Sequence, residues 1–197
     1  MKALETERLI IRPFLADDLE AAHKLLDHDL AWSGQGFSIA QRQERLEFYR
    51  ALANWDDTGN LYGYRAIILK GANELIGTCG FTPRLWSADE RAAFDLLADN
   101  SPYTTLEVEI GYAVGSRFRR QGYASEAVKA VVTYALGSPR LERVLAVTGR
   151  ENGASINVMK RIGMKTAMNH HLDVWPGVVG VASPVIWIEE NHEDNHP

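Results

Sequence analysis

The spacing of apolar and polar positions predicts a strand and two helices near the start of the chain. The run Leu9–Phe14 is rich in β-prone apolar residues and is typical of a strand. Asp17 and Asp18 then open a helix, because acidic side chains are favoured in a first turn. The segment Ser38–Gln41 fits a capping box, and the apolar residues after it recur at helical spacing.

The middle of the chain predicts a hairpin followed by a long connection. The apolar runs Leu61–Lys70 and Leu75–Phe81 are separated by turn-forming residues, which is a hairpin pattern. The next segment, Thr82–Thr105, reads as irregular, with a short helix at Asp89–Ala98. Long connections are often functional, so this one is a lid, a dimer contact or a plain surface insertion. Trp86 within it either lines a substrate pocket or simply packs.

The second half of the chain alternates strands and helices. A strand, a helix and a second strand at this spacing form a crossover that joins parallel strands, which indicates a mixed α/β fold. Residues 1–190 are expected to form a single domain, followed by a polar tail at 191–197. The predicted elements are the strand Leu106–Val114, the helix Tyr123–Leu136, the strand Val144–Thr148, the helix Ala154–Ile162, and final strands at Lys165–Val174 and Pro184–Glu190.

Composition narrows the class of protein. The chain has 197 residues, a net charge of −5 and one cysteine, so an intrachain disulfide is impossible. The acidic balance disfavours nucleic-acid binding, which needs a basic surface. No apolar run approaches the ~20 residues that span a bilayer. The six histidines form no convincing ligand set with nearby acidic residues, so no metal is expected. We therefore expect a cytoplasmic protein with no membrane segment.

The segment Arg117–Ala127 is the most informative stretch of the chain. It joins a buried strand to the start of a helix, where free main-chain N–H groups favour an anion. Gly122 and Ala124 are small enough to let a ligand approach the main chain, and three arginines add positive charge. The segment suits a diphosphate, or it is an ordinary turn with solvated arginines. It matches neither the Walker pattern nor the dinucleotide Gly-x-Gly-x-x-Gly pattern.

This loop resembles the Arg/Gln-x-x-Gly-x-Gly/Ala pyrophosphate loop of the GNAT acetyltransferases. Other segments, in the right order between Glu5 and about Glu190, look like the RimJ/RimL-type branch of that superfamily. The segments that carry the resemblance are Thr6–Pro13, Glu109–Tyr112, Arg119–Ala127, Asn152–Ser155 and Ile162–Met164.

The resemblance implies a GNAT fold, with a mixed sheet of about six to seven strands, flanking helices and a splayed parallel strand pair. Acetyl-CoA would enter between the two splayed strands, and its pantetheine arm would pair with Ala113 and Val114. Asn152 would hold that arm from the other side, although asparagine is also a good helix N-cap. The diphosphate would lie on the main chain of Arg119, Arg120, Gln121, Gly122, Tyr123 and Ala124.

Acetyl transfer to an amine requires a group that accepts a proton, because an alkyl ammonium has a pKa of ~10. Glu107 and Glu109 share one face of the predicted strand. A glutamate on this strand often acts as the base in the family, and we choose Glu109, as base or as anchor for a cationic substrate. The alternative is that this strand face is simply solvated. A main-chain N–H near Val114 is the family-based candidate for stabilising the oxyanion.

The group that protonates the leaving thiolate is less evident. Many family members use a tyrosine on the helix that corresponds to Ala154–Ile162, and this chain has none there. Ser155 begins the inward stripe of that helix and is our candidate acid. It is equally a helix-start residue that satisfies local backbone, and a water-assisted route stays open. Tyr112 has the opposite parity to Glu109, so we interpret it as packing.

Three functions are compatible with these features. The first is transfer of an acetyl group to a primary amine, either a protein N-terminal α-amine or a small-molecule amine. Since relatives in the family are often dimers, the resemblance also implies a homodimer. The second is a non-catalytic CoA-binding or regulatory module that retains the fold. The third, a nucleotide-binding protein of another class, is disfavoured by the net charge of −5 and by the missing Walker lysine.

Overall fold

The computed structural model describes residues 3–31, 34, 36–54, 61–94, 103–137, 141–169 and 175–184. Within these residues it contains eight strands and five α-helices. The chain divides into two compact units, each described separately below. The first unit is Met1–Phe81 with Gly111–Val131, and the second is Thr82–Ile110 with Val132–Pro197. The single-domain assignment for residues 1–190 stays a prediction.

The first unit is built on antiparallel strands in the order β1-β2-β3-β4. The predicted first strand, β2, ends at Arg12, and the predicted hairpin of β3 with β4 is confirmed. The capping box before α2 is also confirmed, because Ser38 N donates to Gln41 Oε1 at 2.9 Å and Gln41 N donates to Ser38 Oγ at 3.3 Å. The bounds are β1 Leu4–Glu5, β2 Leu9–Arg12, α1 Leu19–His23, α2 Ile39–Asn54, β3 Gly63–Leu69 and β4 Glu74–Trp86.

Two buried groups characterise the interior of the first unit. Arg42 is 1% exposed and donates two hydrogen bonds to Asp27. Burial opposes ionisation of Asp27, but the hydrogen bonds from Arg42 and from the main chain of Phe37 lower its pKa to about 2. Cys79 is fully buried, and burial raises the pKa of its thiol to about 12. It is therefore an inert structural thiol.

The second unit contains the parallel pair that the sequence predicts. β5 and β6 pair in parallel at Glu109 with Leu145, and β6, β8 and β7 follow in antiparallel order. The mixed α/β sheet is thus confirmed, with eight strands in the described residues rather than six or seven. The strands β4 and β5 and the helix α4 each contribute residues to both units. The remaining bounds are α3 Ala88–Ala92, β5 Thr105–Val114, α4 Tyr123–Leu136, β6 Val144–Thr148, α5 Gly153–Arg161, β7 Lys165–Met168 and β8 Val178–Ala182.

The segment Thr82–Thr105 is more regular than expected. The strand β4 continues through Trp86, so the prediction of an irregular segment is wrong for its first part. Pro83 and Arg84 obscure the alternation of this strand end in the sequence, yet Trp86 is fully buried. The predicted short helix is present as α3, and it begins with a capping box between Ser87 and Glu90. Residues 95–102 lie outside the described residues.

The last two described strands are β7 and β8. β7 ends at Met168, before the predicted end at Val174, and β8 at Val178–Ala182 is a strand that the sequence analysis did not predict. The predicted strand Pro184–Glu190 lies outside the described residues after Pro184. All five residues of β8 are buried. In the sequence, Gly180 interrupts the otherwise apolar run, so the strand was missed. An added Cβ at Gly180 would come within 3.0 Å of Met159 Sδ, so the glycine allows close packing. Residues 185–197, including the polar tail, lie outside the described residues.

None of the described helices is both long and apolar enough to cross a bilayer.

Candidate active site

The predicted phosphate loop forms an abrupt bend before α4. A 3-10 turn at Ser116–Phe118 follows β5, and then Arg120 and Gly122 adopt left-handed φ values of 61° and 82°. The first main-chain bond of the helix runs from Glu126 N to Gly122 O at 3.0 Å. The amides just before Glu126 therefore have no intrahelical acceptor, which is the arrangement that binds anions at helix starts.

Gly122 leaves space at this bend. Among the described residues, only Arg8 Nη2 lies within 4 Å of an ideal Cβ at Gly122, at 3.3 Å. Its left-handed φ disfavours any other residue. A phosphate group can therefore approach the main chain, and the residues present fit a diphosphate in this loop.

The arginine side chains of the loop differ in their surroundings. Arg117 forms an ion pair with Glu74 and stacks over Phe118, with 4.7 Å from guanidinium carbon to ring centroid. Arg119 Nε lies 3.5 Å from Val114 O, and Arg120 is exposed. The Glu74 carboxylate thus offsets part of the positive charge that the sequence analysis assigned to ligand binding. The main chain, with Arg119 and Arg120, is the better candidate for binding the anion.

The loop is tied to the N-terminal segment by a contact that the sequence analysis missed. Arg8 Nε donates to Glu126 Oε2 at 2.6 Å, and Arg8 Nη1 donates to Gln121 O at 2.9 Å. Thr6 Oγ1 donates to Glu126 Oε1 at 2.5 Å, and Arg8 also stacks over Tyr123 at 4.5 Å. Burial opposes ionisation of Glu126, but these hydrogen bonds lower its pKa. The sequence held one signal for this contact, because Thr6, Arg8 and Glu126 belong to two segments that both carry the family resemblance.

The end of β5 is held against β4. Gly115 N donates to Ile76 O at 2.8 Å, and an added Cβ at Gly77 would collide with Ala113 O. Gly77 is therefore required for the close approach of these strands. The expected pairing of Ala113 and Val114 with a pantetheine arm stays a prediction.

In the second unit, Glu107 is a structural carboxylate. Arg143 donates to both of its oxygens, at 2.9 Å from Nε and 2.5 Å from Nη2, and Thr105 Oγ1 donates at 3.0 Å. Burial alone would raise the pKa of Glu107, but the hydrogen bonds and charge of Arg143 lower it. A carboxylate so paired is a poor proton acceptor.

Glu109, on the same strand, has a different environment. Trp86 Nε1 donates to its Oε1 at 2.9 Å, and Arg84 Nη1 lies 3.5 Å from the same oxygen. Burial raises the pKa of Glu109, and the Trp86 hydrogen bond and Arg84 charge offset this only in part. A carboxyl group with a raised pKa is a better base near neutral pH. The alternative of a simply solvated strand face does not describe either glutamate.

Asn152 and Ser155 lie together at the start of α5. Asn152 Oδ1 accepts a hydrogen bond from Ser155 N at 3.1 Å, so Asn152 is the N-cap of the helix. Asn152 is exposed and Ser155 is half-buried. Ligand binding by Asn152 and proton donation by Ser155 stay predictions. The structure therefore groups the predicted site residues into the loop before α4 and the start of α5, with Glu109 in its own cluster.

The described residues contain no group of three or more histidine, cysteine or acidic side chains that could hold a metal ion.

Comparison with known proteins identifies the family. The acetyltransferase (GNAT) domain family matches residues 8–165. The chain belongs to the GNAT acetyltransferase family. It is an acetyltransferase, and the acyl donor of this family is acetyl-CoA.

Individual GNAT relatives agree with that assignment. The chain is 30% identical over 166 residues to an uncharacterized N-acetyltransferase, YoaA, of Bacillus subtilis (strain 168), covering 82% of each chain. A GNAT acetyltransferase from Bacillus anthracis shares the fold with a TM-score of 0.66 and 23% identity, covering 93% of this chain and 99% of that one. RimL, a ribosomal L7/L12 α-N-protein acetyltransferase in complex with coenzyme A, has a TM-score of 0.62 and 18% identity, covering 91% and 96%.

Proposed function

We propose that this acetyltransferase transfers the acetyl group of acetyl-CoA to a primary amine, either a protein N-terminal α-amine or a small-molecule amine, and that it belongs to the RimJ/RimL-like branch. The relative YoaA is named as an N-acetyltransferase, and RimL is a structural neighbour named for α-amine acetylation. The observation that carries the proposal is the open, left-handed bend at Gly122 before α4.

The loop supplies binding rather than chemistry in this proposal. The main chain of Arg119, Arg120, Gln121, Gly122, Tyr123 and Ala124 binds the diphosphate, because amides at a helix start carry partial positive charge. Arg8 reinforces the loop through Gln121 O and Glu126. Ala113 and Val114 pair with the pantetheine arm, and Asn152 contacts it while capping α5.

Glu109 is the proposed base. The neutral amine attacks the thioester carbonyl carbon, the C–S bond breaks, and the proton that the nitrogen loses passes to Glu109 directly or through water. The half-buried position and raised pKa of Glu109 support this role. Glu107, in contrast, is ion-paired with Arg143. Anchoring of a cationic acceptor by Glu109 is compatible with the same position.

The leaving thiolate receives a proton from water, or from the Ser155 hydroxyl, which takes a proton from water in turn. Ser155 is half-buried at the start of α5, where its main-chain N–H donates to Asn152 Oδ1, and its hydroxyl is the group proposed to act as the acid. Substitution Ser155→Ala separates the two routes, because a water-assisted route keeps the turnover of the original chain.

The second candidate function is a CoA-binding or regulatory module without turnover. The observation that favours it is the absence of tyrosine from Gly153–Arg161, the helix that follows β6. Both candidates bind the cofactor, so binding alone cannot separate them.

Calorimetry with acetyl-CoA and with free CoA, combined with thiol release across a panel of amines, tests both candidates. The panel contains peptides with free α-amines, the same peptides with blocked α-amines, and small alkyl and aromatic amines. Binding heat with thiol release supports the enzyme, and binding heat without release supports the module. No binding heat for either ligand removes both. We also propose a homodimer, which size-exclusion measurements on the same samples test. A cytoplasmic location is a separate part of the proposal.

A further inference from the structure

Trp86 is placed to hold one particular atom of Glu109. The indole is fully buried, and its Nε1 donates to Glu109 Oε1 at 2.9 Å. Phe94 packs against it edge-on, with ring centroids 6.0 Å apart. A buried indole has one donor, and here that donor is spent on a carboxylate. The contact fixes the rotamer of Glu109 because the indole itself cannot move within its packing.

Arg84 reaches the same oxygen from the side. Its Nη1 lies 3.5 Å from Glu109 Oε1, while its Nη2 donates to Glu90 Oε1 at 3.1 Å. The guanidinium also lies over the Trp86 ring, with its carbon 4.9 Å from the centroid. Glu90 is anchored in turn by the Ser87 capping box at the start of α3. Arg84 is therefore shared between two carboxylates, and Glu90 holds the closer contact.

These contacts are one-sided. Both Trp86 and Arg84 approach Oε1, and no described residue forms a hydrogen bond to Oε2 of Glu109. We propose that Trp86 and Arg84 are positioning residues that hold Oε1 of Glu109 and thereby leave Oε2 for the proton of the acceptor amine. This inference rests on the proposed role of Glu109 in acetyl transfer.

The charged groups around Glu109 determine whether each substitution should raise or lower its pKa. Trp86 and Arg84 favour its ionised form, whereas the negative charges of Glu90 and Glu107 oppose it. Glu107 is itself paired with Arg143, and the buried Arg91 lies near it. Removing Trp86 or Arg84 should therefore raise the pKa of Glu109, and removing the charge of Glu90 should lower it.

A pH titration of the indole N–H resonances in the full chain tests the contact without any acceptor. The chain has five tryptophans, and Trp86→Phe identifies the resonance of interest by its loss. We expect the Trp86 resonance to shift with pH as Glu109 titrates, and Glu109→Gln to abolish that shift. Trp175→Phe, a matched change at an exposed tryptophan, should remove another resonance and leave the titration unchanged.

Two further variants should move the midpoint of the Trp86 titration in opposite directions. Arg84→Met should move the Trp86 titration midpoint to higher pH, and Glu90→Gln should move it to lower pH. A purely structural disturbance has no reason to produce shifts of opposite sign. If Trp86→Phe does not fold, the loss of the pH-dependent shift in Glu109→Gln identifies the resonance instead. Arg84→Met and Glu90→Gln then still test the contact, because both side chains are partly exposed.

Turnover links the contact to function. With an amine accepted in the panel, Arg84→Met should move the acidic limb of the pH–rate profile to higher pH, in step with the indole titration. A Trp86 resonance that does not follow Glu109, or midpoints that move in the same direction in Arg84→Met and Glu90→Gln, would overturn the inference. If the indole titrates as expected but the chain releases no thiol, the contact between Trp86 and Glu109 stands. The proposed function and the role of Oε2 are then wrong.

Discussion

The loop around Gly122 and the carboxylate cluster around Glu109 are built in different ways. The loop relies on main-chain amides and on the left-handed geometry of two residues. The cluster relies on side chains that come from β4, α3 and β5. A main-chain site depends on local sequence, so a motif can reveal it. A side-chain site depends on partners that are distant in sequence, so only the fold reveals it.

Within the cluster, Glu107 and Glu109 show how partners determine a role. Both are shielded from solvent on the same strand, but Glu107 has a bidentate arginine and Glu109 has an indole and a more distant arginine. Their pKa values are displaced in opposite directions. We therefore expect Glu107 to stabilise the fold, and we propose Glu109 as the carboxylate that takes part in proton transfer.

The largest expected effect is on turnover. Glu109→Gln should lower turnover by about 10²–10⁴-fold, because the amide cannot accept a proton. Acetyl-CoA affinity, measured by calorimetry, should be unchanged. Glu107→Gln is the matched control, with the same chemical change two residues earlier on the strand. Equal losses of turnover in both variants would remove the distinction between the two glutamates.

The next effect concerns the loop. Acetyl-CoA at 100 times its Kd should stabilise the original chain by about 2.7 kcal/mol, and Gly122→Trp should abolish that stabilisation. The indole would fill the space next to the free amides and strain a left-handed position. The measurement is thermal unfolding with and without acetyl-CoA. Gly71→Trp, at a turn with no atom within 4 Å of an added Cβ, should retain the full shift. Retention of the shift in Gly122→Trp would show that the diphosphate lies elsewhere.

A smaller effect should separate the glutamates by stability. Glu107→Gln should lower the free energy of unfolding by about 2 kcal/mol, because it breaks a largely buried ion pair with Arg143. Arg143 is 29% exposed, which places the expected cost below that of a fully buried pair. Urea denaturation provides the measurement, with an unchanged slope as the sign of two-state behaviour. A cost no greater than that of Glu109→Gln would mean that the ion pair contributes little.

The smallest effect is in the pH dependence of stability. The pKa of Glu107 is lowered in the folded state, so its contribution is present above its unfolded pKa of ~4.3 and is lost as pH falls through the folded value. The pKa of Glu109 is raised, so its contribution is present below ~4.3 and is lost as pH rises through the folded value.

Unfolding measured at several pH values should therefore show opposite trends. The deficit of Glu107→Gln relative to the original chain should shrink in acid. Glu109→Gln should gain stability relative to the original chain as the pH rises. Parallel curves for the two variants would mean that the surroundings do not distinguish these carboxylates.

The sequence was sufficient for elements whose signals are local. The bounds of α4 and β6 agree with the prediction to the residue, because a single apolar stripe and a wholly apolar run leave little ambiguity. The capping box of Ser38 and Gln41 is equally local. The end of β4 was missed because Pro83 and Arg84 break its pattern.

The partners of the candidate site were not accessible in the same way. Strand parity placed Glu107 and Glu109 on one face, but Arg143 lies 36 positions after Glu107. Trp86 lies 23 positions before Glu109, in a segment that the sequence presented as irregular. Nothing local distinguishes the glutamate that gains an arginine from the one that gains an indole. Tertiary packing alone makes that distinction.

The burial of Cys79 has a practical consequence for enzymology. A released coenzyme A thiol is commonly followed with a chromogenic disulfide reagent, which also reacts with exposed protein thiolates. The only cysteine of this chain is inaccessible, and its thiol remains protonated at the pH of such assays. Colour development would therefore report cofactor turnover alone, and a cysteine introduced on the surface could carry a fluorophore without competition.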